Sequence, residues 1–263
     1  DIESVTRYNK DINGFPKVER PNASSYELNE HLADLFESAM QTLDKKLTYA
    51  RYQAIAYLKP EVSNGLYDNA ELISRSLAGI RKNGLVKRLE SSFYAFQVSL
   101  DNFRQANKNM IDMFNRDKVF IAPDLDINNL LESGYTDEEI EEKLNAKAED
   151  NPKNSVFKAE DFKPEFIEML QSDQDTLEKM CKAWEKITDA DDSKFAKFNE
   201  LLKHELFKED RNPEQKLVVF SESVDTVKYL ERRINRKDVL VISADNRSKL
   251  FKTIRENFDA NYK

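Results

Sequence analysis

One cysteine, two histidines, five glycines and seven prolines are all that this 263-residue chain contains of those four types. Each scarcity removes a class of protein. A single thiol, Cys181, cannot close an intrachain disulfide, so a reducing, cytoplasmic setting is expected rather than a disulfide-stapled secreted fold. His31 and His204 have no cysteine or carboxylate at ligand spacing, and no metal centre is expected. No glycine is followed by lysine. The G-x-x-x-x-G-K-[ST] loop, whose backbone amides cradle nucleotide phosphates, is therefore missing. The G-x-S-x-G turn that presents a nucleophilic serine is missing too. No apolar run approaches the roughly 20 residues of a membrane span. The first residues are polar, so neither a signal peptide nor a membrane partner is expected.

What remains is a helix-permissive, strongly charged chain. It is 40% hydrophobic and 34% charged, which suits a folded globular protein. Its 49 acidic residues outnumber 41 basic ones, for a net charge of -8. That balance disfavours nonspecific nucleic-acid binding by the whole surface but leaves room for a local basic face.

Periodicity divides the chain. Residues 1–25 show little of it and read as a linker or the tail of a preceding lobe. Ser24 or Ser25 can N-cap a helix whose apolar stripe runs from Leu28 through Leu32, Leu43 and Ala54 to Leu58, stopped by Pro60. At 1.5 Å per residue it would be roughly 50 Å long. A second helix is expected over 69–82, interrupted at Asn83-Gly84. A third runs from Leu85 through Phe96, Leu100 and Phe103 to Phe114, with spacing that suits lengthwise packing on a partner. Asn107 falls in its seam.

Residues 123–155 are rich in acids and read as solvated short helices. There Asp137-Glu138-Glu139-Ile140 superficially resembles a magnesium-holding acidic box. No apolar strand precedes it, and Thr136 with Glu139 reads instead as a capping box. Helices follow at 164–187, opened by Pro164, and at 193–207. Cys181 shares helical spacing with Leu177, Met180, Trp184 and Ile187, so a packed apolar position is expected rather than a reactive thiol.

The last stretch, 216–263, changes period. LVVF, a polar turn, an amphipathic helix, VLVIS and a second helix make a βαβ signature. Parallel strands need neighbours and cover on both faces. Two strands are too few, so a piece of a larger domain is expected, with self-association through uncovered strand edges.

A basic excess lies between Arg75 and Lys108. It includes Arg81, Lys82, Lys87, Arg88 and Arg104 against Glu90 and Asp101, with Phe93, Tyr94, Phe96 and Phe103 interleaved. The functional reading is a phosphate-contacting helix face. The bland reading is a solvated face over core aromatics, and the aromatics fit the latter.

Leu85-Val86-Lys87-Arg88-Leu89-Glu90-Ser91-Ser92-Phe93-Tyr94-Ala95-Phe96 resembles the L-x-K-R-L-E-S-S-F-Y-A-F segment in the helical insertion of bacterial superfamily II helicases of the Swi/Snf-like branch. Leu47-Thr48-Tyr49-Ala50-Arg51-Tyr52 and Ile55-Ala56-Tyr57-Leu58 look like another part of that insertion. Val219-Phe220-Ser221-Glu222-Ser223-Val224-Asp225-Thr226 is similar to helicase motif IV, which opens the second RecA-like lobe. Asn257-Phe258-Asp259-Ala260-Asn261 resembles the stretch shortly before motif V.

The resemblance implies a mainly α chain with a C-terminal α/β portion: a long-helix insertion over 26–209, then an incomplete RecA-like βαβ unit over 210–263. It implies a parent ATP-dependent helicase acting on nucleic acid, DNA foremost, with ATP and magnesium bound by lobes outside this chain. The chain itself would hold no cofactor and no catalytic residue. Motif IV places Ser221, Glu222, Ser223 and Thr226 where hydroxyls and helix amides can meet a phosphate, with N-capping as the structural role of Ser223. Ser243 and Arg247 occupy the next strand-to-helix turn, a crevice type that binds ligands. Lys87 and Arg88 match the insertion motif. A non-enzymatic helical scaffold or interaction domain is the alternative.

Overall fold

The structure, a computed structural model, describes residues 20–63, 69–122, 126, 139–140, 143, 146, 151, 153–244 and 246–259. It is mainly helical and divides into two compact units, Leu28–Asp191 and the residues from Asp192 onward with those up to Glu27.

In the first unit, helix α1 (Glu30–Lys45) begins at Asn29, whose side chain accepts the Leu32 amide at 2.9 Å. Asparagine is a strong N-cap, and it takes the role expected of Ser24 or Ser25. Leu32, Ala39 and Leu43 bury one face. The helix stops at Lys45 instead of running to Leu58. After a turn, Ala50–Tyr57 form a 3-10 helix, and Pro60 starts a single helical turn rather than ending a helix.

A distant carboxylate causes the break. Asp173, fully buried on helix α4 (Glu165–Trp184), accepts the Thr48 amide at 2.7 Å, the Thr48 hydroxyl at 3.0 Å and the Ala50 amide at 3.1 Å. Amides that would continue the α1 ladder are thus committed elsewhere. Tyr49 between them takes a left-handed backbone, φ 57°, and its hydroxyl donates to the Leu43 carbonyl at 2.8 Å.

Helix α2 (Ala70–Ser91) runs straight through Asn83-Gly84, where a break was expected. The break falls at Ser92, which is extended (ψ 151°) and serves both neighbours. Its amide closes α2 on the Arg88 carbonyl, and its hydroxyl oxygen accepts the Ala95 amide at 3.1 Å to start helix α3 (Phe93–Asn115). A Cβ added at Gly84 would meet nothing within 4 Å, so nothing in the packing demands glycine there.

Helix α3 packs along α4. Asn107 sits in the seam, wholly buried, and donates to the Leu170 carbonyl at 2.9 Å and to Gln174 Oε1 at 3.1 Å. Two apolar clusters flank it. One gathers Leu32, Leu43, Leu89, Phe96 and Leu177 around Trp184, with the Phe96 and Trp184 rings edge to face at 4.9 Å. The other stacks Phe162 on Phe166 at 5.0 Å beside Met110 and Ile140. Strands β1 (Val119–Ile121) and β2 (Ser155–Phe157) add a small antiparallel sheet that periodicity did not reveal. The Thr136 capping box and the Asp137-Glu138 acids lie outside the described residues.

The second unit contains helices α5 (Ser193–His204), α6 (Val224–Ile234) and α7 (Arg247–Phe258). Asp192, also buried, accepts the Phe195 amide at 2.8 Å as N-cap of α5 and the Tyr229 hydroxyl of α6 at 2.8 Å. Phe195 and Tyr229 meet edge to face at 5.8 Å. This aspartate groups α5 with the C-terminal helices, so the units divide at Asp191, ahead of the 209–210 boundary read from the sequence. The expected strands at 217–220 and 239–243 form no ladder; among the described residues the one sheet is β1–β2. Both runs are largely exposed, Phe220 by 90%, with Leu217 and Val241 half-buried, and a parallel strand without a neighbour has little source of stability.

Two substitutions test this architecture. Asp173→Asn keeps the shape but offers one acceptor oxygen to donors that now share two. Denaturant unfolding should show a loss of about 2 kcal/mol. Burial pushes the Asp173 carboxyl above its ordinary range, against the Thr48 and Ala50 hydrogen bonds. The native state therefore holds its proton longer than the unfolded state. This group's share of stability is present below the ordinary aspartate value and falls as pH rises through the raised one. Asp173→Asn should remove that acidic-range slope. Gly84→Ala should raise stability by about 0.5–1 kcal/mol if the helix is continuous there; a loss on melting would mean that the chain breaks at Asn83-Gly84.

Candidate nucleic-acid interface

The residues singled out for phosphate contact fall into both units. Lys87, Arg88 and Arg104 belong to the first, on α2 and α3. Ser221, Glu222, Ser223, Thr226, Ser243 and Arg247 belong to the second.

In the first unit, acids already occupy much of the basic stretch. Arg104 donates through Nε at 3.0 Å and Nη2 at 2.6 Å to Asp101 Oδ1, and this hydrogen bond, more than burial opposes it, stabilises its charged form. Arg75 lies 3.5 Å from Glu71, and Lys82 contacts Asp44. The Lys82 hydrogen bond and charge hold the Asp44 carboxyl below its usual range. Lys87 is exposed and Arg88 half-buried. Of the interleaved aromatics Phe96 and Phe103 are fully buried, as the bland reading has it, whereas Phe93 and Tyr94 are half-buried. Cys181 faces the same core, and burial pushes its thiol up to about 11. It is a packing group, not a nucleophile at neutral pH.

In the second unit, the motif IV turn is built by its serines. Ser221 Oγ accepts the Ser223 amide at 3.1 Å, and Ser223 Oγ accepts the Thr226 amide at 3.2 Å, capping α6. Ser223 and Thr226 are buried, and the cap uses the Ser223 hydroxyl and the Thr226 amide. Ser221 is half-buried and Glu222 exposed. At the second turn, Asn246 Oδ1 accepts the Ser243 amide at 2.8 Å, and Asn246 Nδ2 donates to the Val241 carbonyl at 3.0 Å. The Arg247 amide closes on the Ser243 carbonyl at 3.0 Å, with its side chain exposed at the start of α7. Both turns thus have the same construction: an apolar extended run, a polar side chain folded back on the backbone, and a helix start.

Arg51 and Arg81 carry a feature the sequence reading passed over. Arg81 shares its helix face with Ser74, Ala78, Leu85 and Leu89, at spacings of three and four. A cation on a buried stripe is the signal that marks it. Among the described residues no group of His, Cys, Asp and Glu could hold a metal ion, and no helix is long and apolar enough to cross a membrane. No family model, curated protein or solved structure matches this chain.

The Asp101 pairing of Arg104 and the solvent exposure of Lys87 predict unequal roles for the basic candidates. Reversing Lys87 and Arg88 together should reduce the salt dependence of DNA-oligonucleotide binding by roughly one to two units of slope. Reversing Arg104 alone should leave the slope unchanged, because Asp101 already neutralises it. Anisotropy titrations over a range of salt would show either result, and equal effects of all three reversals would contradict the pairing.

Proposed function

We propose that this chain is part of an ATP-dependent nucleic-acid helicase or translocase of the Swi/Snf-like branch, comprising a helical insertion and the opening of a second RecA-like lobe. The observation that supports this most directly is the pair of uncovered apolar runs around α6. Val218, Val219 and Phe220 on one side, and Val239, Leu240 and Ile242 on the other, are all at least 37% exposed. Each leads into a polar turn and an amphipathic helix. That order suits strands of a parallel sheet whose neighbours lie elsewhere. The motif-like residues Ser221–Thr226 fall at the first of these turns.

The sequence motifs that hold a magnesium–nucleotide are the weakest part of this chain's case for turnover of its own. The chain has no phosphate-cradling loop, and its described acids do not cluster. ATP and magnesium therefore belong to the parent protein, and the chain's contribution is to phosphate contact and lobe assembly. DNA is the nucleic acid we favour, and the missing lobes are the protein partners.

An apolar face on α2 favours a second reading, a non-enzymatic scaffold. Leu72 and Ile80 are 66% and 68% exposed, with Ile73 and Leu77 beside them. Such a face suits helix-to-helix docking.

Turnover separates the two. The chain alone, given ATP, magnesium and DNA, should release phosphate at background. The product of the whole reading frame should hydrolyse ATP with stimulation by DNA, because phosphoryl transfer needs a phosphate loop, a held magnesium and facing arginines. DNA-stimulated turnover in the longer protein supports the helicase. Its absence there, or turnover by this chain that one of its own residues controls, overturns the reading.

A further inference from the structure

The buried stripe of α2 carries a cation where its neighbours are apolar or small. Arg81 is half-buried, and its Nε is closed off from solvent with no hydrogen-bond acceptor. Its guanidinium carbon lies 5.7 Å from the Tyr52 ring centroid and 5.5 Å from that of Phe103. Arg51 approaches the same Tyr52 ring at 5.1 Å and donates its Nε to the Ala106 carbonyl at 3.0 Å.

The acids nearby do not settle these charges. Asp44 is held by Lys82, and Asp173 is consumed by Thr48 and Ala50. Asp126 favours the charge on Arg51 through space, but burial and the Arg81 charge act against it. Among the described residues neither arginine forms an ion pair with a carboxylate. Two guanidiniums are thus gathered on one aromatic ring with partial desolvation and, among the described residues, no carboxylate in salt-bridge contact with either.

Ring stacking uses only the face of a guanidinium. Its edge N–H groups form a planar fork, the geometry that matches a tetrahedral oxyanion. A buried charge without a counter-charge costs stability, and an anion held in that fork relieves the cost. Dispersed surface lysines lack this preorganisation. Tyr52 and Phe103, 5.4 Å apart, fix the position of the Arg81 head.

We propose that Arg81, seated on Tyr52 and Phe103 beside Arg51, binds a phosphate group, either the phosphodiester of a nucleic-acid strand or a free phosphate. The site lies wholly within the first unit and needs no residue of the motif-like turns. It stands apart from the helicase reading, since a phosphate from either source meets the same chemistry.

The test uses the full chain with two variants: Arg81→Met, which keeps an apolar stem on the rings, and Arg81→Lys, which keeps charge but loses the fork. Calorimetry with inorganic pyrophosphate and anisotropy with a single-stranded DNA oligonucleotide provide the two arms. Wild type should bind at least one probe. Arg81→Met should weaken that binding about tenfold and, for the oligonucleotide, lower the salt slope by about one. Arg81→Lys should fall between.

Without ligand, Arg81→Met should melt no lower than wild type, because an uncompensated charge has gone. If it melts lower, Arg81→Lys carries the test by the same criterion of weakened binding. Binding of pyrophosphate alone identifies a free phosphate as the ligand, and binding of oligonucleotide alone a phosphodiester. Failure of wild type to bind either, or unchanged affinity in a folded Arg81 variant, overturns the proposal. ATP turnover by the longer protein is a separate readout, so either conclusion can fail without the other.

Discussion

A buried carboxylate decides the path of the chain in the first unit. Asp173 takes three hydrogen bonds from Thr48 and Ala50, and through them it sets where α1 can no longer continue. The consequences propagate from that point. Tyr49 turns left-handed, Ala50–Tyr57 form a 3-10 helix, and Tyr49 and Tyr52 are delivered onto Phe103 at 5.7 and 5.4 Å. Without the carboxylate, Thr48 and Ala50 would be buried or half-buried donors with no acceptor, and each such group costs about 1–3 kcal/mol.

The second unit uses the same device. Asp192 divides its two oxygens between a helix cap and the Tyr229 hydroxyl, tying α5 to α6. In both units a buried aspartate satisfies backbone amides at the start of one element while fixing a second element against it. Each aspartate is affordable because its acceptor capacity is used. Arg233 over Phe195 at 4.5 Å extends the second contact with a cation on an aromatic face.

Much of the helical frame was legible because it depends on local pattern. The apolar spacing from Leu89 to Phe103 reappears as the buried face of α2 and α3, and Asn107 lies in the α3–α4 seam where the period puts it. Ser223 caps α6, and the 164–187 and 193–207 stretches become α4 and α5. The misreadings also have physical causes. Asn83-Gly84 looks like a break, yet propensity costs of about 1 kcal/mol yield to the packing of Leu85 and Leu89 on the core. Ser92 looks like mid-helix because its extended conformation serves two helices at once. The strands expected at 217–220 and 239–243 carry the right residues, but a ladder is a property of two segments and not of one.

Of the candidate interface, the residue types were visible and their availability was not. The i,i+3 spacing lets Arg104 reach Asp101, but that the bond is made, and that Thr226 is buried, follows only from the packed structure. Arg81 shows the converse, a cation whose place on an apolar stripe is written in the sequence but whose stacking on Tyr52 and Phe103 joins residues far apart in the chain.

The sequence by itself determined the helical class, the amphipathic faces, the Ser223 cap and the scarcity of histidine, cysteine and glycine, since all of these follow from composition and short-range spacing. Tertiary structure alone decided where α1 ends, which unit α5 joins, which cations are neutralised and which apolar runs stay uncovered. Those outcomes hang on contacts such as Thr48 with Asp173, separated by 125 residues. A hydrogen bond of that span exists only after the helices have packed, because packing excludes the water that would otherwise satisfy both partners.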